Sequence, residues 1–127
     1  GTFPVRRGAA DRKAIRRAIE LLSQGKVVAI FPEGTRTQTG ELLEPQRGAG
    51  LIALRAGVPV IPVGITGTFE PVRKGRFFPR FNQFIVRFGD PVHFEPSSEE
   101  GRKDAVDEAN RRMMEGIKAQ IGKGLKD

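Results

Sequence analysis

Four consecutive residues in the first third of the chain have the chemistry of an anion site: Glu33, Gly34, Thr35 and Arg36. Gly34 has no Cβ, so backbone N–H groups can approach a ligand closely there. Arg36 offers a planar, permanently charged set of donors that matches phosphate oxygens. The run therefore predicts a phosphate site, and a strand-end turn with a surface ion pair of little energetic value is the simpler alternative.

Glu33 needs a separate explanation, because an anionic side chain does not bind phosphate directly. We expect it to fix an arginine or to accept a hydrogen bond from a ligand hydroxyl.

Other kinds of site lack the residues that they need. The chain has no Cys, and its one His is His93, so we expect no thiolate site and no metal site. No glycine-rich phosphate loop with a following Lys is present, which argues against a nucleoside triphosphate site. His93 follows Pro91 and Val92 near a predicted strand end, and we interpret it as an ordinary surface or loop histidine.

The composition indicates one soluble domain, and its charge favours anionic partners. The 127 residues are 38% hydrophobic and 29% charged, and the formal net charge is +7. This charge favours phosphorylated small molecules, anionic lipid surfaces or nucleic acid. The longest apolar run, residues 58–65, contains two prolines and is too short to span a bilayer. Because the chain begins with Gly1 and enters a strand-like segment at once, we expect a fragment or a processed product.

Strands and helices are predicted to alternate over the first half of the chain. Strands are expected at residues 1–6, 27–31 and 58–65, and helices at residues 9–24 and 48–56. This order implies right-handed crossovers and three parallel strands. The prolines of the third strand suggest an edge position or irregular pairing.

The predicted topology also places the candidate residues. In such sheets ligands bind beyond the carboxyl ends of the strands. Arg6 and Arg7 end the first strand, residues 32–36 follow the second, and residues 64–67 follow the third. We therefore expect these three segments to converge on one crevice.

The second half of the chain predicts one more strand and a long helix. Residues 83–88 alternate as a strand does, and Ser97 with Glu100 resembles a capping box that opens a helix. The helix carries an apolar stripe of Val106, Ala109, Met113, Ile117 and Ile121. The predicted fold class is thus α/β, with a mixed, largely parallel sheet flanked by helices and a C-terminal helix.

Several motifs in a fixed order resemble the glycerolipid acyltransferase family of the 1-acylglycerol-3-phosphate type. They are GTFPVRRG at residues 1–8, FPEGTR at 31–36, RGAG at 47–50 and VPVIPV at 58–63. Together they match three of the four sequence blocks of that family, and the joint match is far more specific than any single motif. The resemblance implies one glycerol-3-phosphate acyltransferase-like domain over residues 1–127.

The resemblance also implies the roles of the candidate residues. Arg7 matches the arginine that closes the second block, and residues 31–36 match the third. The implied acceptor phosphate site consists of Arg7, Glu33, Gly34, Thr35 and Arg36, with Arg6 and Arg47 as weaker members. The implied partners are a lysophosphatidate-like acceptor and an acyl thioester donor, either acyl-coenzyme A or acyl-acyl carrier protein, and no cofactor.

The first block of the family is a His and an Asp with four residues between them. In the family the His acts as general base on the acceptor hydroxyl, and the Asp orients the imidazole. Nothing in this chain matches that block, and the residue five positions after His93 is Ser98. We therefore expect no catalytic residue in this chain, which would hold the phosphate-binding part and be inactive alone.

A basic and aromatic segment, residues 73–81 with Phe84, suits a membrane interface. It predicts peripheral docking on the cytoplasmic face of a membrane. The alternative is that the phenylalanines fill the core below a loop and the arginines are merely solvated.

Two other function classes stay open. The chain could be a non-catalytic phospholipid- or phosphate-binding domain on the same fold. Less favoured is a basic nucleic-acid-binding module, with the Arg and Phe segment as a stacking platform. That reading leaves residues 32–36 and 58–63 unexplained.

Overall fold

The computed structural model of the chain describes residues 1–2, 11–68, 84–95 and 103–122. Within these ranges the elements are α1 (Arg12–Ser23), α2 (Arg47–Ala56), β1 (Val63–Thr66), β2 (Ile85–Phe88) and α3 (Lys103–Gly122). The combination of helices with strands and the C-terminal helix are as predicted.

Helix α1 begins later than the sequence pattern predicted. Asp11 is its N-cap, and the carboxylate accepts hydrogen bonds from the backbone N–H groups of Lys13 and Ala14. A cap of this kind satisfies donors that have no partner inside the helix. The buried face carries Ala14, Ile15 and Ala18.

Helix α2 confirms the predicted helix of residues 48–56 and begins one residue earlier, at Arg47. It ends at Gly57, which has the left-handed conformation (φ 61°) common after a helix. Its buried residues, Ala49, Gly50, Ala53 and Leu54, are mostly small. Small side chains let neighbouring helices approach closely, and α2 packs against both α1 and α3.

The two strands pair antiparallel, with Val63 opposite Phe88 and Ile65 opposite Val86. Strand β1 confirms part of the strand predicted at residues 58–65. Strand β2 confirms the strand predicted at residues 83–88, although residue 83 lies outside the described ranges. The prediction of a mixed, largely parallel sheet is wrong for the described residues, because the one sheet that they form is this antiparallel pair.

The pairing continues irregularly beyond β1 and β2, as the prolines predicted. Val60 and Val92 exchange both backbone hydrogen bonds, at 2.9 and 2.8 Å. Between this bridge and the β1–β2 ladder, two residues on one side face three on the other, as in a β-bulge. Pro62 has no N–H to donate, but its carbonyl accepts from Gly89 N at 2.8 Å.

The prediction of a buried strand at residues 27–31 is wrong for the described structure. The backbone there is not assigned to a strand, and Val27 and Phe31 are 96% and 75% exposed. A continuous apolar run reports a local preference for extended backbone. A strand also needs a partner backbone, and no described strand pairs with this one.

Helix α3 holds the molecule together by contacting α2, β1 and β2. Three residues of the predicted stripe, Val106, Ala109 and Met113, are buried, and Ile117 and Ile121 are half-buried. The predicted capping box lies outside the described residues. The core cluster joins α2, α3 and one residue before the C-terminal helix: Ala49, Ala53, Leu54, Phe94, Val106, Ala109 and Met113.

In the part of the chain that the structure describes, no helix combines the length and apolarity needed to cross a membrane. Over the same residues, no three acidic or histidine side chains are grouped so as to hold a metal ion.

Candidate functional site

The predicted phosphate-binding run forms a tight turn beside the start of α2. Gly34 has a left-handed conformation (φ 68°), and its N–H donates to the carbonyl of Phe31 at 3.1 Å. Gln46 N donates to the Pro32 carbonyl at 2.7 Å, and Gln46 is the N-cap of α2. The turn is therefore tied to the first turn of a helix that is itself anchored in the core.

Residues 33–43, here called the anion loop, leave this turn and return to it. Thr37 Oγ1 accepts hydrogen bonds from Thr39 N and Gly40 N, at 3.2 and 3.1 Å. Threonine hydroxyls commonly hold turns in this way. At the base of the loop, Leu43 N donates to Glu33 Oε2 at 2.6 Å. The anion loop is thus ordered by side chains as well as by backbone contacts.

The side chains with anion-binding chemistry point into solvent. Thr35, Arg36 and Arg47 are exposed, and among the described residues neither arginine makes an ion pair. The first turn of α2 contains no acidic residue, and Gln46 provides no side-chain cap. This end of α2 therefore has neither an acidic side chain in its first turn nor a side-chain cap, and such helix ends suit an anionic group, although the loop before it also carries Glu33, Glu41 and Glu44.

The structure brings some of the predicted residues together and separates others. Residues 33–36 and Arg47 are joined through the contact between Pro32 and Gln46. Gly64, expected in the same crevice, instead packs against Gln120 of α3. Arg6 and Arg7 lie outside the described residues, as do residues 73–81, while Phe84 is 65% exposed.

His93 lies at the opposite end of α2 from the anion loop. It is exposed, as expected of a surface histidine, and lines a shallow depression with Leu54, Phe94 and Arg112. Gln46 and Leu54 are eight residues apart, which corresponds to roughly 12 Å along a helix. Among the described residues, none of the anion loop lines the depression that holds His93, so His93 is not placed to act as a base at the loop.

The sequence interpretation missed two polar contacts that support the site. One is the bond between Leu43 N and the Glu33 carboxylate, for which no sequence signal existed. The other is Asn110, which is buried in α3 and donates through Nδ2 to the Gln46 carbonyl at 3.4 Å. Asn110 follows Val106 by four residues and so falls on the apolar stripe, which was a readable sign of a buried polar contact.

Comparison with known proteins gives the same family at the level of sequence. The family model described as Acyltransferase matches residues 1–66. A chloroplastic 1-acyl-sn-glycerol-3-phosphate acyltransferase of Brassica napus is 35% identical over 92 residues, which cover 71% of this chain and 25% of that protein. The 1-acyl-sn-glycerol-3-phosphate acyltransferase of Bacillus subtilis (strain 168) is 34% identical over 120 residues, covering 89% and 56%.

A solved structure agrees with these matches. The 1-acyl-sn-glycerophosphate acyltransferase PlsC of Thermotoga maritima superposes with a TM-score of 0.65 at 28% identity, covering 91% of this chain and 47% of that one. The chain spans between a quarter and somewhat more than half of the length of these relatives. Because the family model covers more than half of the chain, and the relatives carry the name that the motifs suggested, the resemblance is confirmed: this chain belongs to the acyltransferase family.

Proposed function

We propose that this chain is the acceptor-binding part of an enzyme of phospholipid synthesis. The enzyme moves a fatty acyl group from an acyl thioester to the free hydroxyl of a lysophosphatidate-like acceptor. The observation that carries the proposal is the turn at residues 31–34, which is fixed to the start of α2 by the bond between Gln46 N and the Pro32 carbonyl and is followed by the exposed Arg36. The names of the matched relatives support the same reaction and acceptor.

The acceptor phosphate would lie against the anion loop. Arg36 supplies a forked, charged donor set, and the backbone around Gly34 and Thr35 supplies N–H groups. Arg47 adds positive charge from the first residue of α2, and Arg7, with Arg6 as a weaker contributor, joins from the predicted first strand. A charge-assisted contact of this kind contributes about 1.5–3 kcal/mol, or roughly ten- to a hundredfold in affinity.

In the transfer step the acceptor hydroxyl attacks the thioester carbonyl, its proton passes to a general base, and the thiolate of the donor leaves. We propose that this base comes from outside the residues of this chain, since His93 lies at the other end of α2 from the loop. The donor is acyl-coenzyme A or acyl-acyl carrier protein, and no cofactor takes part. Acyl transfer by the 127-residue chain alone would contradict the proposal that the base comes from outside it.

Two finer features belong to the same proposal. Residues 27–31, with Val27 and Phe31 exposed, would form a strand and make the sheet largely parallel when a partner strand lies beside them. Peripheral docking on the cytoplasmic face of a membrane would use residues 73–81, next to the exposed Phe84. Cosedimentation with anionic and neutral vesicles tests the docking, which requires the anionic vesicles to bind more chain.

The phosphate site is tested by thermal unfolding with and without excess glycerol 3-phosphate. A ligand that binds only the folded state adds about 2.7 kcal/mol of stability at a hundred times its dissociation constant. We expect the melting temperature of the parent chain to rise, and the rise to disappear in Arg36→Ala. Arg16→Ala is the matched control, because Arg16 is an exposed arginine on α1 with the same charge.

The two variants separate a site from a general charge effect. An equal reduction in both would mean that net charge, not the loop, attracts the ligand. A rise that survives in Arg36→Ala would place the phosphate elsewhere, and a nucleic acid titration over a range of salt concentrations would then come next.

A further inference from the structure

We propose that Glu33 is a positioning residue that latches the anion loop and thereby presents Arg36, instead of contacting the acceptor itself. This inference rests on the proposed function, because it assigns a role within the same phosphate site. The sequence suggested two other roles for Glu33, which were to fix an arginine or to accept a hydrogen bond from a ligand hydroxyl. The proposed role differs from both of them.

The contact that carries the inference is short and crosses the loop. Leu43 N donates to Glu33 Oε2 at 2.6 Å, a partly buried bond between residues ten positions apart. Hydrogen bonds from backbone N–H groups to a carboxylate are stronger than those between neutral groups. The bond joins the two ends of the anion loop, inside the second closure made by Gln46 N and the Pro32 carbonyl.

The surroundings of Glu33 argue against an ion pair as its role. Among the residues that the structure describes, no Lys or Arg lies within ion-pair distance of this carboxylate. Glu33 is half-buried, whereas Arg36, three residues later, is exposed. The carboxylate thus turns toward the backbone of its own loop, while the arginine turns toward solvent, where a ligand can reach it.

Loss of the latch would act through the order of the loop. Without it, the two ends of the loop are held together only by the wider closure between Gln46 N and the Pro32 carbonyl, and more loop conformations become accessible. The apparent dissociation constant of a ligand rises in inverse proportion to the fraction of chains in the binding-competent conformation. If the competent fraction falls to between roughly a third and a tenth, affinity for phosphate falls about three- to tenfold.

Electrostatics alone predicts the opposite sign. Removing a carboxylate next to an anion site lowers repulsion, so it should strengthen phosphate binding if charge were the only effect. Glu41, an exposed carboxylate of the same loop, provides the matched control. Glu41→Ala makes the same change in charge and leaves the Glu33 bond intact, so the ratio between the two variants isolates the latch.

The first experiment measures the bond itself, by amide hydrogen exchange at Leu43 in the ligand-free chain. We expect protection of this amide in the parent chain and in Glu41→Ala, and its loss in Glu33→Ala. Glu33→Gln keeps a side-chain oxygen as acceptor and should retain part of the protection. An unprotected Leu43 amide in the parent chain would overturn the latch without any reference to ligand binding.

The second experiment measures affinity by titrating the same four chains with inorganic phosphate and with glycerol 3-phosphate. Relative to Glu41→Ala, we expect Glu33→Ala to bind both ligands about three- to tenfold more weakly and Glu33→Gln to stay within about twofold. Circular dichroism melting curves show whether each variant is folded at the temperature of titration.

Each alternative role gives a different pattern. A contact between Glu33 and a ligand hydroxyl would weaken binding of glycerol 3-phosphate and leave inorganic phosphate unchanged. A required negative charge would make Glu33→Gln as weak as Glu33→Ala. Equal affinities of Glu33→Ala and Glu41→Ala would show that the bond has no part in binding. If the parent chain binds neither ligand, the proposed function fails and this role fails with it, whatever the exchange at Leu43 shows.

Discussion

Gly50 of α2 and Asn110 of α3 are in such close contact that a Cβ added to Gly50 would lie 2.7 Å from Asn110 Oδ1. The same Cβ would lie 2.7 Å from the backbone carbonyl oxygen of Val106. Asn110 also donates to the Gln46 carbonyl at the N-cap of α2. The contact therefore fixes the start of α2, and with it the base of the anion loop, against the longest helix of the described structure.

This contact predicts that Gly50→Ala destabilises the chain, although alanine favours a helix more than glycine does. The backbone oxygen of Val106 cannot move aside without shifting α3, and overpacking of this kind costs about 1–3 kcal/mol. Chemical denaturation measures the change in the free energy of unfolding. Gly48→Ala in the same helix is the control, because its Cβ would meet nothing closer than Ile15 at 3.9 Å. Equal stability of the two variants would contradict the proposed packing.

A second close approach joins α3 to the sheet. A Cβ on Gly64 of β1 would lie 2.6 Å from Gln120 Cβ and 2.9 Å from the Gln120 carbonyl carbon. Gly64→Ala should therefore push α3 away from β1 and cost roughly 1–3 kcal/mol of stability. Gly122→Ala, at the end of α3, meets nothing within 4 Å and should be close to neutral. A destabilisation by Gly122→Ala as large as that by Gly64→Ala would show that packing at Gln120 is not the cause.

The comparison of sequence and structure shows which features are encoded locally. The helices were predictable because an apolar stripe and a following glycine, as at Gly57, are readable from residues that lie close together. The start of α1 was placed too early because the capping signal of Asp11 was overlooked. Residues 27–31 failed as a strand because pairing depends on a distant backbone, which a local pattern does not report.

Some features of the candidate site were also predictable from nearby residues, and others depended on the fold. The turn around Gly34 and the exposure of Arg36 follow from residue type, and the structure has Gly34 in a left-handed conformation and Arg36 exposed. The partner of Glu33 did not follow, because Leu43 contributes its backbone N–H and any residue except proline could do so. The distance from His93 to the loop also required the fold, because it depends on which end of α2 each segment contacts.

The exposed charges of α3 predict a pH effect with a definite sign. A side-chain hydrogen bond from Arg111 lowers the pKa of Glu108 below its ordinary value of 4.5. A carboxylate with a lowered pKa in the folded state contributes stability above 4.5, and this contribution is lost as the pH falls through the folded value. Titration of the Glu108 carboxyl carbon by NMR should give a pKa that rises in Arg111→Gln and in high salt. An unchanged pKa in that variant would contradict the assigned cause.

Gly34 allows the turn and the ligand site to be tested together. With φ at 68°, an alanine there would be strained by about 1–2 kcal/mol, and its Cβ would lie 2.9 Å from Gln46 Cγ, which can move because Gln46 is exposed. We expect Gly34→Ala to lower the melting temperature and to remove the rise caused by glycerol 3-phosphate. Gly34→Asn should lower the melting temperature less and keep part of the rise with glycerol 3-phosphate, since Asn tolerates positive φ.

The control for this prediction is Gly25→Ala, at the end of α1. Gly25 has a similar conformation (φ 76°), and a Cβ there meets nothing within 4 Å. It should lose stability through the same backbone strain while the rise with glycerol 3-phosphate stays intact, because the anion loop is unchanged. If Gly34→Ala also kept the full rise, the left-handed turn would not be what shapes the phosphate site, and if both variants lost it, the loss would reflect lower stability alone.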